Sequence, residues 1–357
     1  MMDRLGLEQQ VRDGMPVRAL LLESAALQGM DCSGGVFEKV DFRAANLTDA
    51  VFADCVFDRC RFEHAVLAGA RVKGSQFLNC DMEQADWSAS TVQSVSFVDC
   101  RAPHARFTRA ALDSFNVLKG DLAGSHFDHA RLALSFFDET AVAGVSFNAS
   151  TLHKVFFHRV DLRQAAFPEA SFDNAIFAEC NLSGQTFSGQ TLLRCQFIEC
   201  DMSKVCFEDA HLPYTGFTGS LLEGARFDGA RAASACFFRA RAERIQCRDA
   251  DLSGSIWSEA HIDNADFSRA QLRGSQFRQA QGRAACFDAA RLDAADFTGA
   301  ALHDARFEDA TFERTLFHRA ESEERPWSDK EGARDTDEEL YAAEQWSSRR
   351  ASRAPAA

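Results

Sequence analysis

The chain has 357 residues, of which 46% are hydrophobic and 26% charged, and a formal charge of −14. No apolar run approaches the ~20 residues of a membrane-spanning helix, the N-terminus lacks the hydrophobic stretch of a signal peptide, and Lys and Arg are scattered among the acids with no basic stripe. The expectation is no membrane, no nucleic acid and, with twelve cysteines and no C-x₂-C spacing, a reducing compartment, so a cytoplasmic location.

Residues 1–20 read as an N-terminal cap: a short amphipathic helix, then a turn at Gly14–Pro16. From residue 21 the pattern changes. In "FADCVFDRCRF" (52–62), Phe52, Phe57 and Phe62 recur every five residues, as do Cys55 and Cys60. Five fits neither the 3.6 period of a helix nor the period of two of a strand, so a period this strict means an internal repeat. The frame holds through Phe127, Leu132 and Phe137 to Phe307, Phe312 and Phe317, giving sixty consecutive units from 22 to 317 without insertion. Two residues before each centre the side chain is small, as at Ala165, Ala170, Cys180 and Ala265. The other three positions are mostly polar, charged or glycine.

Near-consensus copies are "ANLTD" (45–49), "CDMEQ" (80–84), "CNLSG" (180–184), "ADLSG" (250–254) and "ADFSR" (265–269). The tandem pattern over residues 21–320 resembles the pentapeptide-repeat family. That resemblance implies an all-β fold, a right-handed quadrilateral β-helix in which each pentapeptide forms one side of a square coil and twenty residues one turn. Sixty units then make about fifteen coils. The departure from the family pattern is the position before the centre, where Arg, Gln, Thr, Val and Phe often replace Asp or Asn. The outer surface is therefore individual to this chain. Within the coils, Phe dominates centres ending in 7 and Leu or smaller residues those ending in 2, which places phenylalanines on two opposite walls. Residues 321–357 read as a charged, flexible tail with a helix between Asp335 and Arg350 carrying Leu340, Tyr341 and Trp346.

In such a tube the centre and the small residue both point inward. Interiors pack near crystal density, so the second inward position must be Ala-, Ser- or Cys-sized. Cys55, Cys60, Cys80, Cys100, Cys180, Cys195 and Cys200 occupy it, and buried free cysteine behaves as a small hydrophobe. Structural filler, not a redox or metal site, is the expectation. Two irregular places stand out. Phe115 occupies a small slot, predicting a bulge at 113–117, and Ala232, Ala242 and Cys247 replace large centres, predicting a thinned core. No nucleotide-loop or metalloprotease motif occurs and the ten histidines are dispersed. No catalytic, cofactor or metal residues are assigned.

What is left is binding. Sorted by the twenty-residue coil, three sides are polar and the side centred on 37, 57 and 77 is not. Before its centres stand Val36, Val56, Phe136, Phe156, Ile176, Cys236, Ile256 and Leu316, and after them Leu78, Val98, Leu118, Ile198 and Phe238. The opposite side carries Asp128, Asn148, Ser188, Glu208, Asp228 and Arg248. Aligned exposed apolar residues mark an interaction surface, for a protein partner or for a second copy of the chain. The function expected is a non-enzymatic rigid scaffold. The family resemblance adds two alternatives: an accessory or adaptor role in type VI secretion, and mimicry of duplex DNA toward DNA gyrase, which protects it from quinolones. A DNA mimic needs a densely acidic surface. Here forty acids in the coils are diluted by thirty bases, net −10, so the purified protein should leave gyrase supercoiling unaffected at nanomolar concentration.

Overall fold

The computed structural model describes residues 4–351; the extremes of the expected cap and tail, 1–3 and 352–357, lie outside the described residues. Two compact units are present: residues 4–185 with 190–201, and residues 186–189 with 202–351. Each is a right-handed quadrilateral β-helix of twenty-residue coils, and the two together contain about sixteen turns.

The backbone shows why five residues make one side. At many corners the carbonyl of the centre accepts a hydrogen bond from the N–H three residues on, as Ala25 donates to Leu22 (3.0 Å) and Ala65 to Phe62 (2.9 Å). The residue two after the centre sits in the left-handed region: Asp49 at φ 56°, Arg59 at 52°, Asn79 at 54°. This turn closes each corner. The N–H of the centre donates to the following coil, Phe42 to Arg61 O at 2.7 Å, and the N–H before it donates to the preceding one, Asp41 to Leu20 O at 2.9 Å. Every buried coil thus bonds on both edges, which satisfies the backbone without a long strand.

In the first unit, helix α1 (Arg4–Arg12) buries Leu7 and Val11. Its buried Glu8 accepts from Arg4 Nε (3.0 Å), Arg12 (3.1 Å) and the Asp31 N–H (3.2 Å), while Arg4 donates to the Gln28 and Gly29 carbonyls. The first paired strand is Val17–Arg18, against Phe37–Glu38, so the coil starts within the segment expected to be the cap. Two adjacent sides carry regular parallel strands in register at twenty residues, for example Phe136↔Phe156↔Ile176 and Thr151↔Ser171. The other two are chains of single bridges such as Asp41↔Arg61 and Asn46↔Val66. The charged rungs at 41, 61, 81 and 101 are in register, with Arg101 on Asp81 at 2.6 Å, but Arg61 turns to Glu63 (2.8 Å) and Asp41 to Arg43 (2.6 Å).

The core is a set of ring columns. Phe37, Phe57 and Phe77 stack with centroids 4.5–4.7 Å apart, and Phe107, Phe127, Phe147 and Phe167 stack on the opposite wall at 4.7–5.1 Å. The small slot holds seven of the twelve cysteines, all free and buried there. Their thiols donate to carbonyls of the preceding coil: Cys60 to Phe37 O (3.4 Å), Cys80 to Phe57 O (3.4 Å), Cys100 to Phe77 O (3.2 Å). Ser75 and Thr140 do the same with hydroxyls, at 3.0 and 3.1 Å. Burial pushes the Cys195 thiol up to about 12 and that of Cys55 to about 11, which leaves them unreactive.

No bulge exists at 113–117. The strand Ala111–Leu118 is continuous and in register with Thr91–Val98, Phe115 opposite Val95 and Val117 opposite Phe97. The reason is an exchange of volume. The centre is the small Val117, and the ring of Phe115, in the adjacent inward slot, takes the vacant place between Phe97 (4.9 Å) and Phe137 (6.2 Å). The second unit repeats the device. Ile245 fills the slot before the small centre Cys247, and both are fully buried. Trp257 lies 3.9 Å from the Phe237 ring and donates to Ser255 Oγ (2.8 Å). Beside the small centres expected to thin the core, neighbouring inward positions carry the larger buried side chains of Ile245 and Trp257.

In the second unit the packed chain reaches Arg334, beyond the boundary expected at 320. Ala333–Arg334 pairs with Thr315–Leu316, and buried Trp327 stacks on Phe317 at 4.4 Å and donates to Asp335 (2.9 Å). Gly332 has φ +87°, and a Cβ there would meet Phe312 O at 2.0 Å. Helix α2 (Glu338–Ala351) follows, with Leu340, Tyr341 and Trp346 exposed.

Phe115→Ala should cost about 3–5 kcal/mol, measured as a drop in the urea midpoint. Adding Val117→Phe should recover part of it, because the ring returns to the same space from the neighbouring position.

Candidate functional site

Each side of a coil offers solvent two outward positions, one before and one after the centre, and stacking aligns them into columns. On the candidate side of the first unit the column before the centres reads Val36, Val56, Gln76, Ser96, Asn116, Phe136, Phe156, Ile176 and Gln196. The column after them reads Glu38, Asp58, Leu78, Val98, Leu118, Asp138, His158, Ala178 and Ile198. The apolar path therefore switches columns: Val36 and Val56, then Leu78, Val98 and Leu118, then Phe136, Phe156 and Ile176, then Ile198. Where one column is apolar, the other is mostly polar.

The path is less exposed than its residue types suggest. Aligned side chains cover one another, and most of the path is half-buried; Val36 (47%), Ile176 (36%) and Ile198 (40%) remain exposed. The focal point is Phe136 and Phe156, whose ring centroids are 5.1 Å apart, with Ile176 in register on the next coil. This is also a side of regular strands, where β-branched and aromatic residues suit the pleated backbone.

Two features were not read from the sequence. One is Leu134, at the corner two residues before Phe136, with φ 52° and 55% exposure. Left-handed positions in this chain hold Gly, Ala or polar residues; among the described residues only Leu134 and Tyr214 place a large apolar or aromatic side chain there. A branched apolar residue in that conformation costs roughly 1–2 kcal/mol, and an exposed one recovers little by burial. Counting corner positions from the repeat would have found it. The other is a polar cluster on the far side of the rings. His158 Nδ1 lies 2.7 Å from Asp138 and its Nε2 3.5 Å from Glu179, and Arg159 bridges Glu179 (2.9 Å) and Glu139 (3.7 Å). The Arg159 hydrogen bond holds the Glu179 carboxyl below its ordinary value.

In the second unit the remaining predicted residues are dispersed. Phe238 lies under the Arg239 guanidinium, 4.8 Å from its ring centroid. Ile256 pairs between Cys236 and Gln276. Leu316 lines a recess of ≈ 540 Å³ with Arg314, Arg334 and Asp337, so it belongs to the docking of the C-terminal segment. Among the described residues no group of three or more His, Cys, Asp and Glu is placed to hold a metal ion, and no helix is long and apolar enough to cross a membrane.

The pentapeptide repeat region profile matches residues 30–107, and the pentapeptide repeats profile of eight copies matches 157–189, 175–212, 245–280 and 283–320, together more than half of the sequence. The chain belongs to the pentapeptide-repeat family. Among solved structures of this family, QnrB1, a plasmid-mediated fluoroquinolone resistance protein, is 20% identical over 51% of this chain and 89% of its own, with a TM-score of 0.36. HetL, a pentapeptide-repeat protein involved in heterocyst differentiation regulation in the cyanobacterium Nostoc sp. strain PCC 7120, is 16% identical over 88% of this chain and 97% of its own, with a TM-score of 0.30. No curated protein matches the chain.

Leu134→Asn should raise stability by about 0.5–1 kcal/mol, since Asn visits the left-handed region more readily, and should remove apolar surface beside Phe136. An unchanged or lower urea midpoint would show that the leucine is held by contacts of its own.

Proposed function

We propose that this pentapeptide-repeat protein is a non-enzymatic scaffold that binds a protein partner through the apolar side of its first unit. The observation that carries this reading is the convergence at Phe136. Two half-buried phenylalanines whose rings lie tilted against each other, an exposed isoleucine one coil on and a leucine in a disfavoured backbone conformation lie together on a chain whose outer positions are otherwise mostly polar. Single exposed apolar residues need no explanation; a cluster that includes a conformationally costly one does. A tube filled with side chains supplies rigidity, and preformed backbone lowers the entropy lost on binding. Proteins that bind through few residues concentrate the energy in aromatic anchors, and the pair of rings fits that role.

The test is the double variant Phe136→Glu with Phe156→Glu. Both side chains point outward from the strand, so the core is untouched and the circular dichroism spectrum and urea midpoint should stay close to those of the parent. Pull-down from the native host should lose the parent's principal partner. If the double variant captures the same partner at the same level, the interface lies elsewhere.

A further inference from the structure

The apolar side is not symmetric across its width, and the asymmetry selects its occupant. Around the ring pair, the corner after the centres carries Glu139, Arg159, Glu179 and Glu199: three carboxylates against one guanidinium, net −2. Glu139 and Glu179 are 43–44% exposed even while paired with Arg159, and Glu199 is exposed. The corner before the centres carries Leu134, Lys154, Asn174 and Arg194, with Arg194 taken by Asp173 at 2.6 Å. The rings thus sit between a net acidic border and one that continues the apolar patch at Leu134 and carries Lys154 and Arg194 on the following coils.

A second copy fits this face poorly. An isologous pair meeting face to face has its two-fold axis in the plane of the face. With the axis across the coils, the rings meet rings but the net −2 border meets itself. With the axis along the coils, the borders are complementary but the Phe136 and Phe156 column meets Asp138 and His158. Neither arrangement pairs rings and charges together. Addition of a strand is also excluded, since it needs a free sheet edge. Every strand here is already bonded to the coils on both sides, Phe156–His158 to Phe136–Asp138 and to Ile176–Ala178. A helix can lie along the stack. Its turns rise ~5.4 Å against coils ~4.8 Å apart, so over the four coils from Phe136 to Ile198 successive turns seat between successive coils.

Resting on the reading of this side as a docking surface, we infer that its occupant is a basic amphipathic helix of another protein. Its apolar stripe packs on Phe136, Phe156, Ile176 and Leu134, and its Lys or Arg residues lie over Glu139, Glu179 and Glu199. The carboxylates beside a water-excluding apolar contact supply orientation and discrimination, rejecting an acidic helix with the same stripe.

The test uses the full chain and two labelled, stapled helical peptides of about fourteen residues, ~21 Å long. They share one leucine stripe and are flanked by Lys in one and by Glu in the other. Binding is read by fluorescence anisotropy in ~0.05 M salt, where surface charges are little screened, and self-association by sedimentation. The parent should bind the Lys peptide at least tenfold more tightly than the Glu peptide. In Glu139→Lys with Glu179→Lys and Glu199→Lys the order should reverse; Lys39 and Lys119 already occupy equivalent left-handed corners, so the fold accommodates the change. Phe136→Glu with Phe156→Glu should abolish binding of the Lys peptide. If the Phe variant loses binding but the two peptides bind the parent alike, or charge reversal changes nothing, the inference about the occupant fails while the docking face stands. If the Phe variant binds the Lys peptide as the parent does, both fail. Binding of neither peptide, or a parent dimer that the Phe variant dissolves, overturns the inference in favour of a different occupant.

Discussion

Everything in this protein depends on the fixed volume inside the coil. Two inward positions per side must together fill a narrow square section, and stacking at strand spacing leaves no room to relax a misfit. This is why large centres alternate with Ala, Ser or Cys and why successive phenylalanine rings form columns 4.5–5.3 Å apart. It is also why the irregular coils stay regular. The constraint acts on the sum of the two inward side chains, so Phe115 with Val117, or Ile245 with Cys247, satisfies it as well as the usual order. A bulge would break hydrogen bonds to two coils, whereas moving a ring from one slot to the next breaks none.

The same constraint explains the cysteines and the corners. A thiol in the small slot fills space and donates to a carbonyl of the preceding coil, so cysteine, serine and threonine are alternatives of one structural role. The corner needs a left-handed residue every fifth position, and the chain accepts that repeated cost because each corner returns hydrogen bonds to the neighbouring coil. Against that background Leu134 is an exception, since it puts a large apolar side chain at a corner and leaves it 55% exposed.

Because the interior is committed, individuality is confined to the two outward positions and the corner of each side. Alignment of those positions turns single substitutions into columns, which is how a surface can form without any loop or cleft. The cost is mutual coverage: stacked outward chains shield each other, so the apolar path of the first unit presents rims and ring edges more than whole side chains. Coverage also binds the charges into ladders, as with Arg159 between Glu139 and Glu179, so a charged border is held in place beside the rings.

The sequence by itself determined the fold, the coil length, the inward and outward assignment of nearly every residue and the apolar side. All of these follow from a period of five whose in-frame residues are large and whose second inward residues are small. Phe136, Phe156 and Ile176 could be placed together for the same reason. Only the tertiary structure decided how Phe115 and Ile245 are accommodated, because volume is shared between positions that a one-dimensional frame treats separately. It alone showed that Asp138, His158, Arg159 and Glu179 form one cluster, and that Trp327 and the strand Ala333–Arg334 dock on the preceding coils. Each of these depends on which side chains face one another across coils or at a corner, and a residue's distance from its neighbour twenty positions away, or its backbone angle at a turn, exists only once the chain has closed the coil.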